Sequence, residues 1–444
     1  MKLPPAPPAA SDTIFAPATP LGKAAVAIVR VSGPNAGNAL KALAGSLPPR
    51  RRAHHMRLRD PVSGDDIDDC IALWFPEPHS ATGENICEFQ IHGSRAVLSA
   101  LIAALVRMGL RLADPGEFTR RAFLNGKLDL TQAEAIADLV AAETETQRRQ
   151  ALRQLGGALG DLYRGWGARL LRLLAHLEAA IDFPDEDLPA EIEHEVAVET
   201  TSLAGEMDAH LADHRRGERL RDGITVAIVG PPNAGKSSLL NQLARREAAI
   251  TSPIAGTTRD VIEVAIDLAG YLVVLADTAG LRDSADPIEQ EGLRRALARA
   301  KAAELRLFVF DARQPQDAER ASAWPGPSTL LVANKIDLAP NASLPSGALG
   351  VSALTGAGIA ALTGALVQRI ASDYDTAAPP LTRARHREAL ESAREALRRS
   401  LDAGLPELRA EDLRLAWRSL GRITGQTDVE DLLDVIFADF CIGK

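Results

Sequence analysis

The stretch Gly230-Pro231-Pro232-Asn233-Ala234-Gly235-Lys236-Ser237 decides the fold of this chain. It fits the phosphate-binding pattern G-x-x-x-x-G-K-[ST] without a mismatch. An apolar run at residues 224–229 precedes it. Glycines let backbone amides turn inward around phosphate oxygens, and the N-terminus of a following helix favours anions. We therefore predict a strand, a phosphate-binding loop and a helix that open a mostly parallel α/β sheet.

Two further motifs follow in the order that a guanine-nucleotide site requires. Asp277-Thr278-Ala279-Gly280 and Asn334-Lys335-Ile336-Asp337 each come at the end of an apolar run. The carboxylate of Asp337 can accept two hydrogen bonds from guanine, and adenine lacks that pair of donors. Three ordered matches are hard to obtain by chance, so the sequence predicts that the chain binds and hydrolyses GTP.

Each of these motifs has a predicted role. Lys236 is expected to reach the β- and γ-phosphates, and Ser237 to ligate Mg²⁺. Asp277 is expected to hold Mg²⁺ through water, and Thr258, between the two motifs, to contact the same ion. The stem of Lys335 should pack beside the base, and Ser352-Ala353-Leu354 can offer an amide to the guanine oxygen.

Position 281 departs from a common GTPase pattern. Many switch GTPases carry Gln after Asp-x-x-Gly, where it orients the attacking water, but this chain has Leu281. Another group must therefore supply that role. Asn233 could help to hold a monovalent cation close to the phosphates, or it could be an ordinary turn residue, and the spacing alone leaves both readings open.

The flanks of this α/β segment differ from it and from each other. Short β-type runs at residues 25–31, 71–75 and 87–92, with a helix at 97–108, predict an α+β domain. From residue 130 the apolar period is helical. We expect one long helix with a buried stripe over 152–177, and another over 191–221. The helical period resumes after residue 380, so we predict a helical domain into which the nucleotide domain is inserted.

Bulk properties limit the function classes. The chain has 444 residues, which suits about three domains. Its net charge of −9 argues against general affinity for nucleic acid, although local basic patches remain compatible with it. No apolar run approaches the roughly 20 residues of a membrane span. The N-terminus does not read as a signal peptide, and three cysteines cannot all pair, so we expect a cytoplasmic protein with no membrane association.

Several segments outside the nucleotide motifs resemble one known family. These segments are Asp12-Thr13-Ile14-Phe15-Ala16-Pro17-Ala18-Thr19-Pro20, Arg30-Val31-Ser32-Gly33, Pro115-Gly116-Glu117-Phe118-Thr119-Arg120-Arg121-Ala122-Phe123-Leu124-Asn125-Gly126-Lys127-Leu128-Asp129-Leu130 and Cys441-Ile442-Gly443-Lys444. Together they are similar to the bacterial tRNA-modification GTPase family MnmE, also called TrmE. The resemblance runs nearly end to end, and the 115–130 block and the last four residues are its most specific parts.

The resemblance implies four segments. These are an N-terminal domain at 1–127 that binds tetrahydrofolate and dimerises, a first helical part at 128–220, a G domain at 221–371 and a second helical part at 372–444. It implies 5-formyl- or 5,10-methylene-tetrahydrofolate as a cofactor, held at Arg30, Glu88, Lys127 and Lys444.

For the G domain the resemblance implies K⁺-stimulated dimerisation. Asn233 would coordinate K⁺ with its side chain, and Ser252, Ile254 and Thr257 would complete the shell. Glu289 would be the general base, acting through water, which fills the gap left at position 281. Pro253 stiffens this loop but leaves the Ser252 carbonyl available. The complete predicted set of GTP-binding residues is Asn233, Ala234, Gly235, Lys236, Ser237, Ser238, Ser252, Pro253, Ile254, Ala255, Gly256, Thr257, Thr258, Asp277, Thr278, Ala279, Gly280, Asn334, Lys335, Asp337, Ser352, Ala353 and Leu354.

The resemblance also implies partners and a reaction. The chain would form a homodimer and join an FAD-dependent MnmG-type protein in a heterotetramer. Together they would add a carboxymethylaminomethyl group at C5 of the wobble uridine, position 34, of certain tRNAs. Two alternatives are a K⁺-dependent GTPase switch in ribosome assembly and a folate-binding transferase with a vestigial GTPase. The folate-type N-terminal domain and the acidic net charge favour the first function over a ribosome-assembly switch, which would be expected to carry a basic RNA-binding module.

Overall fold

A computed structural model describes residues 12–182, 190–247, 250, 262–277, 301–323, 329–374, 379–427, 430–438, 440 and 443. The chain divides into two compact units. The first comprises Met1–Ala137, Gln154–Thr201 and Ser392–Lys444, and the second comprises Asp138–Arg153 and Ser202–Glu391. Within the described part of the chain, none of the helices combines the length and the apolar character that a membrane span needs.

The first unit contains a six-stranded sheet with the order β3-β4-β5-β2-β1-β6. Its strands are β1 Ile14–Pro17, β2 Ala24–Ser32, β3 His54–Arg59, β4 Asp66–Phe75, β5 Ile86–Gly93 and β6 Arg111–Leu112. The pairs are antiparallel except β1 with β6. Helices α1 Ala36–Ala44, α2 Arg95–Arg107 and α3 Glu117–Leu124 accompany the sheet. This arrangement confirms the predicted α+β domain.

Alternating side chains of these strands form the core of the sheet. Val29, Val31 and Phe89 are fully buried, and they pack in one cluster with Leu40 of α1 and Leu101 of α2. Because successive residues of a strand point to opposite faces, the intervening residues Arg30 and Glu88 lie on the other face. The packing of one face thus fixes the position of two predicted cofactor-binding residues.

Helices complete both units. They are α4 Leu130–Ala141, α5 Glu145–Leu155, α6 Ala158–Asp182, α7 Ala190–Leu211, α8 Arg216–Asp222, α9 Lys236–Arg246, α10 Ile359–Tyr374, α11 Ala384–Asp402, α12 Pro406–Thr424 and α13 Glu430–Ala438. In the first unit α6 packs along α12, and α13 packs against α3.

Two predicted helices are interrupted, so the predictions of continuous helices over 152–177 and 191–221 are wrong. The first is divided between α5 and α6 at Gly157, whose φ is +91°. The second is divided between α7 and α8, where His214 and Arg215 have φ values of 53° and 59°. A left-handed residue cannot continue a right-handed helix, so each pair of helices meets at a turn.

The second unit contains a six-stranded sheet with the order β12-β11-β10-β7-β9-β8. Its strands are β7 Ile224–Val229, β8 Ile262–Leu268, β9 Tyr271–Asp277, β10 Leu305–Asp311, β11 Thr329–Asn334 and β12 Leu349–Gly350. All pairs are parallel except the hairpin β8–β9. These strands and the two-residue turn Ala269-Gly270 confirm the predicted α/β sheet.

Two of the three cysteines lie inside the first unit. Cys70 and Cys87 are buried and form no disulfide. Burial raises the pKa of Cys70 to about 12, and burial also raises the pKa of Cys87. Both thiols are therefore inert packing groups at neutral pH. The third, Cys441, lies outside the described residues.

Candidate nucleotide and cofactor sites

The phosphate-binding loop lies between β7 and α9 in a backbone conformation that depends on glycine. Gly230 has φ +141° and Gly235 has φ +90°. A Cβ on Gly230 would overlap the carbonyl of Val309, and one on Gly235 would overlap the side-chain amide of Asn334. The loop is thus enclosed by neighbouring backbone and by the predicted base-binding motif, as the sequence pattern requires.

Lys236 occupies the first position of α9, at the end of this loop. Its Nζ donates to the carbonyls of Gly230 and Pro231, both at 3.0 Å. Burial lowers the pKa of Lys236, and the Asp277 carboxylate opposes that shift. A buried cation that donates to two loop carbonyls, at a helix N-terminus, provides the positive charge that a polyphosphate needs.

Two candidate oxygen ligands for a divalent cation lie at the carboxyl ends of neighbouring strands β7 and β9 or just beyond them. Asp277 ends β9 opposite Ile228 of the parallel strand β7, and its side chain is buried. Ser237 follows Lys236 at the start of α9 and is exposed. A carboxylate and a hydroxyl are the hard oxygen donors that Mg²⁺ prefers, so these residues fit the predicted ion.

The Asn334-Lys335-Ile336-Asp337 motif joins the phosphate-binding loop to the loop after β12. The buried Asn334 side chain donates to the Ala234 carbonyl at 2.8 Å and accepts from the Ala353 amide at 3.0 Å. Lys335 Nζ donates to the Asn233 carbonyl at 2.6 Å. The structure thus brings together three of the regions that were predicted to bind one nucleotide.

The other predicted nucleotide-binding residues of this region differ in their exposure to solvent. Asp337 lies in a short 3₁₀ helix, Ile336–Leu338, and is exposed. Ser352 is fully buried, and Leu354 is 85% exposed. Asn233 has φ 61° and an exposed side chain. Asn tolerates this left-handed conformation better than most residues do, and its amide oxygen is a suitable ligand for K⁺.

A second cluster lies on the sheet of the first unit. Arg30 and Glu88 face each other across β2 and β5, with the Arg30 Nη2 2.8 Å from the Glu88 Oε1. The Arg30 guanidinium also lies over the Phe118 ring of α3, 5.8 Å from its centroid. A cation, a carboxylate and an aromatic face are groups that suit a pterin ring with a glutamate tail.

Lys127 lies against the loop that joins β4 to β5. A Cβ on Gly83 of that loop would come 3.2 Å from the Lys127 Cε. The flanking Thr82 and Glu84 both hydrogen-bond the Ser32 hydroxyl at 2.7 Å. Ser32 is two residues beyond Arg30 on β2, so the loop connects Lys127 to the strand that carries Arg30.

Comparisons with known proteins find matches along almost the whole chain. A family model described as GTP-binding protein TrmE N-terminus matches residues 13–127, and one described as MnmE helical domain matches 130–441. A tRNA modification GTPase MnmE from Rhodospirillum rubrum is 57% identical over 98% of this chain and 99% of its own. One from Parvibaculum lavamentivorans is 56% identical over 98% and 100%.

The chain belongs to the tRNA modification GTPase MnmE family. The resemblance predicted from the sequence is thereby confirmed, as is the fold class of an α+β N-terminal domain, a helical domain and an inserted α/β GTPase domain. Among solved structures, the G domain of the T. maritima FeoB iron transporter covers 33% of this chain and 97% of its own, at 24% identity and a TM-score of 0.26.

Other predicted residues of this MnmE family member lie outside the described residues. They are Ser252, Pro253, Ile254, Ala255, Gly256, Thr257 and Thr258 of the predicted nucleotide and K⁺ sites, Thr278, Ala279 and Gly280 after β9, Leu281, the predicted base Glu289 and the predicted folate-binding Lys444. Their roles stay predictions.

Two groups beside these sites were not predicted from the sequence. Asp311, at the end of β10, binds Lys335 at 3.0 Å. Its signal was available, because it follows an apolar run as Asp277 does. In the first unit, Arg121 is almost fully buried among the carboxylates of Asp12, Glu84 and Glu117. Glu117 and Arg121 are an i,i+4 pair on α3, but Asp12 and Glu84 are far away in sequence, so no local pattern indicates the whole cluster.

Proposed function

We propose that this chain is a K⁺-stimulated GTPase that acts in the cytoplasm on certain tRNAs. With an FAD-dependent MnmG-type partner, it adds a carboxymethylaminomethyl group at C5 of the wobble uridine, with tetrahydrofolate as the one-carbon donor. The observation that carries the proposal is the similarity over 98% of the chain to relatives named tRNA modification GTPase MnmE. Both flanks match, which favours this function over a ribosome-assembly switch that shares only the G domain.

The nucleotide-binding residues have separate tasks in this proposal. The loop amides and Lys236 bind and orient the triphosphate, and Asp337 selects guanine. Ser237 and Thr258 ligate Mg²⁺, with Asp277 acting through water, and the ion neutralises phosphate charge when bound. Asn233, Ser252, Ile254 and Thr257 hold K⁺, which supplies positive charge where other GTPases use an arginine.

Glu289 is the general base of the proposed hydrolysis, as the resemblance to the family implies, and it takes a role that Leu281 cannot fill because leucine can neither accept a proton nor align water. Glu289→Ala should therefore still bind GTP but lose most of its hydrolysis, since general-base catalysis contributes about 10²–10⁴-fold. Binding is measured with a fluorescent GTP analogue, and turnover by phosphate release. Glu291→Ala removes the next carboxylate along the chain and should hydrolyse GTP normally. Turnover of Glu289→Ala at the unmodified rate would remove this residue from the mechanism.

The proposed folate site consists of Arg30, Glu88, Lys127 and Lys444. The support is the pairing of Arg30 with Glu88, the ring of Phe118 beside them, and the contact of Lys127 with the loop next to Ser32. Bound tetrahydrofolate would supply the carbon that is transferred. The protein residues orient it. The proposal also includes a division of the chain into segments 1–127, 128–220, 221–371 and 372–444. It includes a homodimer formed through the first of these segments.

The test of the function is a mass profile of tRNA nucleosides. A strain lacking the gene should lose the carboxymethylaminomethyl modification of its wobble uridines, and a plasmid copy should restore it. Lys236→Ala, which removes the phosphate-binding ammonium, should not restore it. An unchanged nucleoside profile in the deletion strain would reject the proposal. Altered ribosomal-subunit profiles with unchanged tRNA would favour the ribosome-assembly alternative.

A further inference from the structure

Asp311 is a nearly buried carboxylate beside the predicted guanine site. The proposed GTPase mechanism assigns it no role. It ends β10 directly opposite Asn334 of β11, and its side chain is 11% exposed. Its Oδ1 accepts from the backbone amide and the Nε of Arg313, both at 3.0 Å. Its Oδ2 accepts from the Arg313 Nη2 at 2.8 Å and from the Lys335 Nζ at 3.0 Å.

The Lys335 ammonium is thereby held between two fixed acceptors. One is the Asp311 carboxylate at the end of β10, and the other is the Asn233 carbonyl in the phosphate-binding loop, at 2.6 Å. A lysine side chain has a flexible stem of four carbons, so a single contact would leave the ammonium mobile. Two contacts on different elements fix the course of the stem, and the Lys335 backbone, with φ 65°, sets its starting point.

The charge of Asp311 is permanent under physiological conditions. Hydrogen bonds from Arg313, followed by those from Lys335, hold the pKa of Asp311 well below its usual range. The Asp311 carboxylate is therefore ionised at neutral pH and attracts the Lys335 ammonium. A charge-assisted contact of this kind is stronger than a neutral hydrogen bond.

We propose that Asp311 is a positioning residue for guanine-nucleotide binding. It fixes the orientation of the Lys335 stem, against which the guanine base would pack. The same Lys335 ammonium also contacts the phosphate-binding loop at the Asn233 carbonyl. The inference rests on the GTP binding of the proposed function. Asp311 acts on the nucleotide only through Lys335. Removing Asp311 should therefore weaken nucleotide binding only when Lys335 is present.

A double-mutant cycle on the full chain tests that dependence. The affinity and the dissociation rate of a fluorescent GDP analogue are measured for wild type, Asp311→Ala, Lys335→Ala and the double variant. We expect Asp311→Ala to weaken binding about tenfold, as befits the loss of a charge-assisted contact. The double variant should bind no more weakly than Lys335→Ala alone, within about twofold.

Two further variants separate positioning from general support of the loop. Asp311→Asn keeps the shape of the side chain and loses its charge, and it should weaken binding less than Asp311→Ala does. If Asp311→Ala does not fold, as judged by circular dichroism, Asp311→Asn decides in its place and should still bind more weakly than wild type. Arg313→Ala removes the exposed partner and should stay within about twofold of wild type.

The binding measurements test the role of Asp311 separately from the proposed function on which it rests. Wild-type protein that fails to bind GDP would reject the proposed function. Normal wild-type binding with unchanged Asp311→Ala and Asp311→Asn would reject the inference alone. So would additive losses in the cycle, or a loss in Arg313→Ala as large as that in Asp311→Ala, because Asp311 would then act through the loop rather than through Lys335.

Discussion

Lys127 offers a test of the folate site at the level of one side chain. Lys127→Met keeps most of the apolar stem that lies against Gly83 and removes the charge. We expect tetrahydrofolate binding to weaken by about tenfold or more, because a charge-assisted hydrogen bond contributes about 1.5–3 kcal/mol. Isothermal titration measures the change. Lys41→Met, at an exposed position of α1, is the matched control and should bind as wild type does. Equal titrations for both variants would contradict the assignment of Lys127.

Gly235 tests the close packing around the phosphate-binding loop. Gly235→Ala places a methyl group against the Asn334 amide at a φ of +90°, so we expect it to cost about 1–3 kcal/mol and to abolish tight GTP binding. Gly364→Ala is the matched control, because no atom lies within 4 Å of the added carbon and its helix, α10, is exposed there. That variant should gain up to about 1 kcal/mol. Calorimetric unfolding and GTP titration measure both, and a Gly235→Ala protein as stable as wild type would show that the loop can relax.

At the scale of single elements, Ser94 begins α2. Its hydroxyl accepts from the Val97 amide at 3.2 Å, one of the donors that the first turn leaves without a helical partner. Ser94→Ala should cost about 1 kcal/mol of local stability, visible as faster amide hydrogen exchange in the first turn of α2. Ser99→Ala, exposed within the same helix, should not accelerate that exchange. Faster exchange in both variants would mean that the cap is not the cause.

The elements that sequence predicted best are those whose own residues determine them. Strands β7 and β11 are apolar runs, and each is followed by or ends in a motif that marks its boundary. The loop after β7 follows from its glycines alone. The phosphate-binding and base-binding motifs were therefore located before their contacts were known, although the hydrogen bond from Asn334 to Ala234 required the fold.

The elements that sequence did not predict depend on their surroundings. Strand β3 alternates buried Met56 and Leu58 with exposed polar residues, but that short pattern is common in loops as well. The break before α6 had a signal in Gly156-Gly157, whereas the left-handed His214 and Arg215 had none. The pairing of Arg30 with Glu88 depends on the register of β2 and β5, which only the folded sheet establishes.

At the scale of the whole molecule, the proposed K⁺ site in the phosphate-binding loop should control the rate of GTP hydrolysis. GTP hydrolysis should be faster in KCl than in NaCl, and Asn233→Ala should lose that difference because alanine has no oxygen to bind the ion. Asn341→Ala, at an exposed turn position, should keep it. Phosphate release at equal ionic strength measures the rates. A preference for K⁺ that persists in Asn233→Ala would place the ion elsewhere.

The first unit is assembled from three separated segments, and this affects the order in which the nascent chain can fold. The sheet β1–β6 is synthesised early, but α12, which packs along α6, and α13, which packs against α3, are synthesised last. The segment Ser202–Glu391 is complete before α12 and α13 are made. Premature termination before α12 and α13 are made would therefore expose apolar faces of helices made much earlier, and such products should be targets for chaperones and proteases.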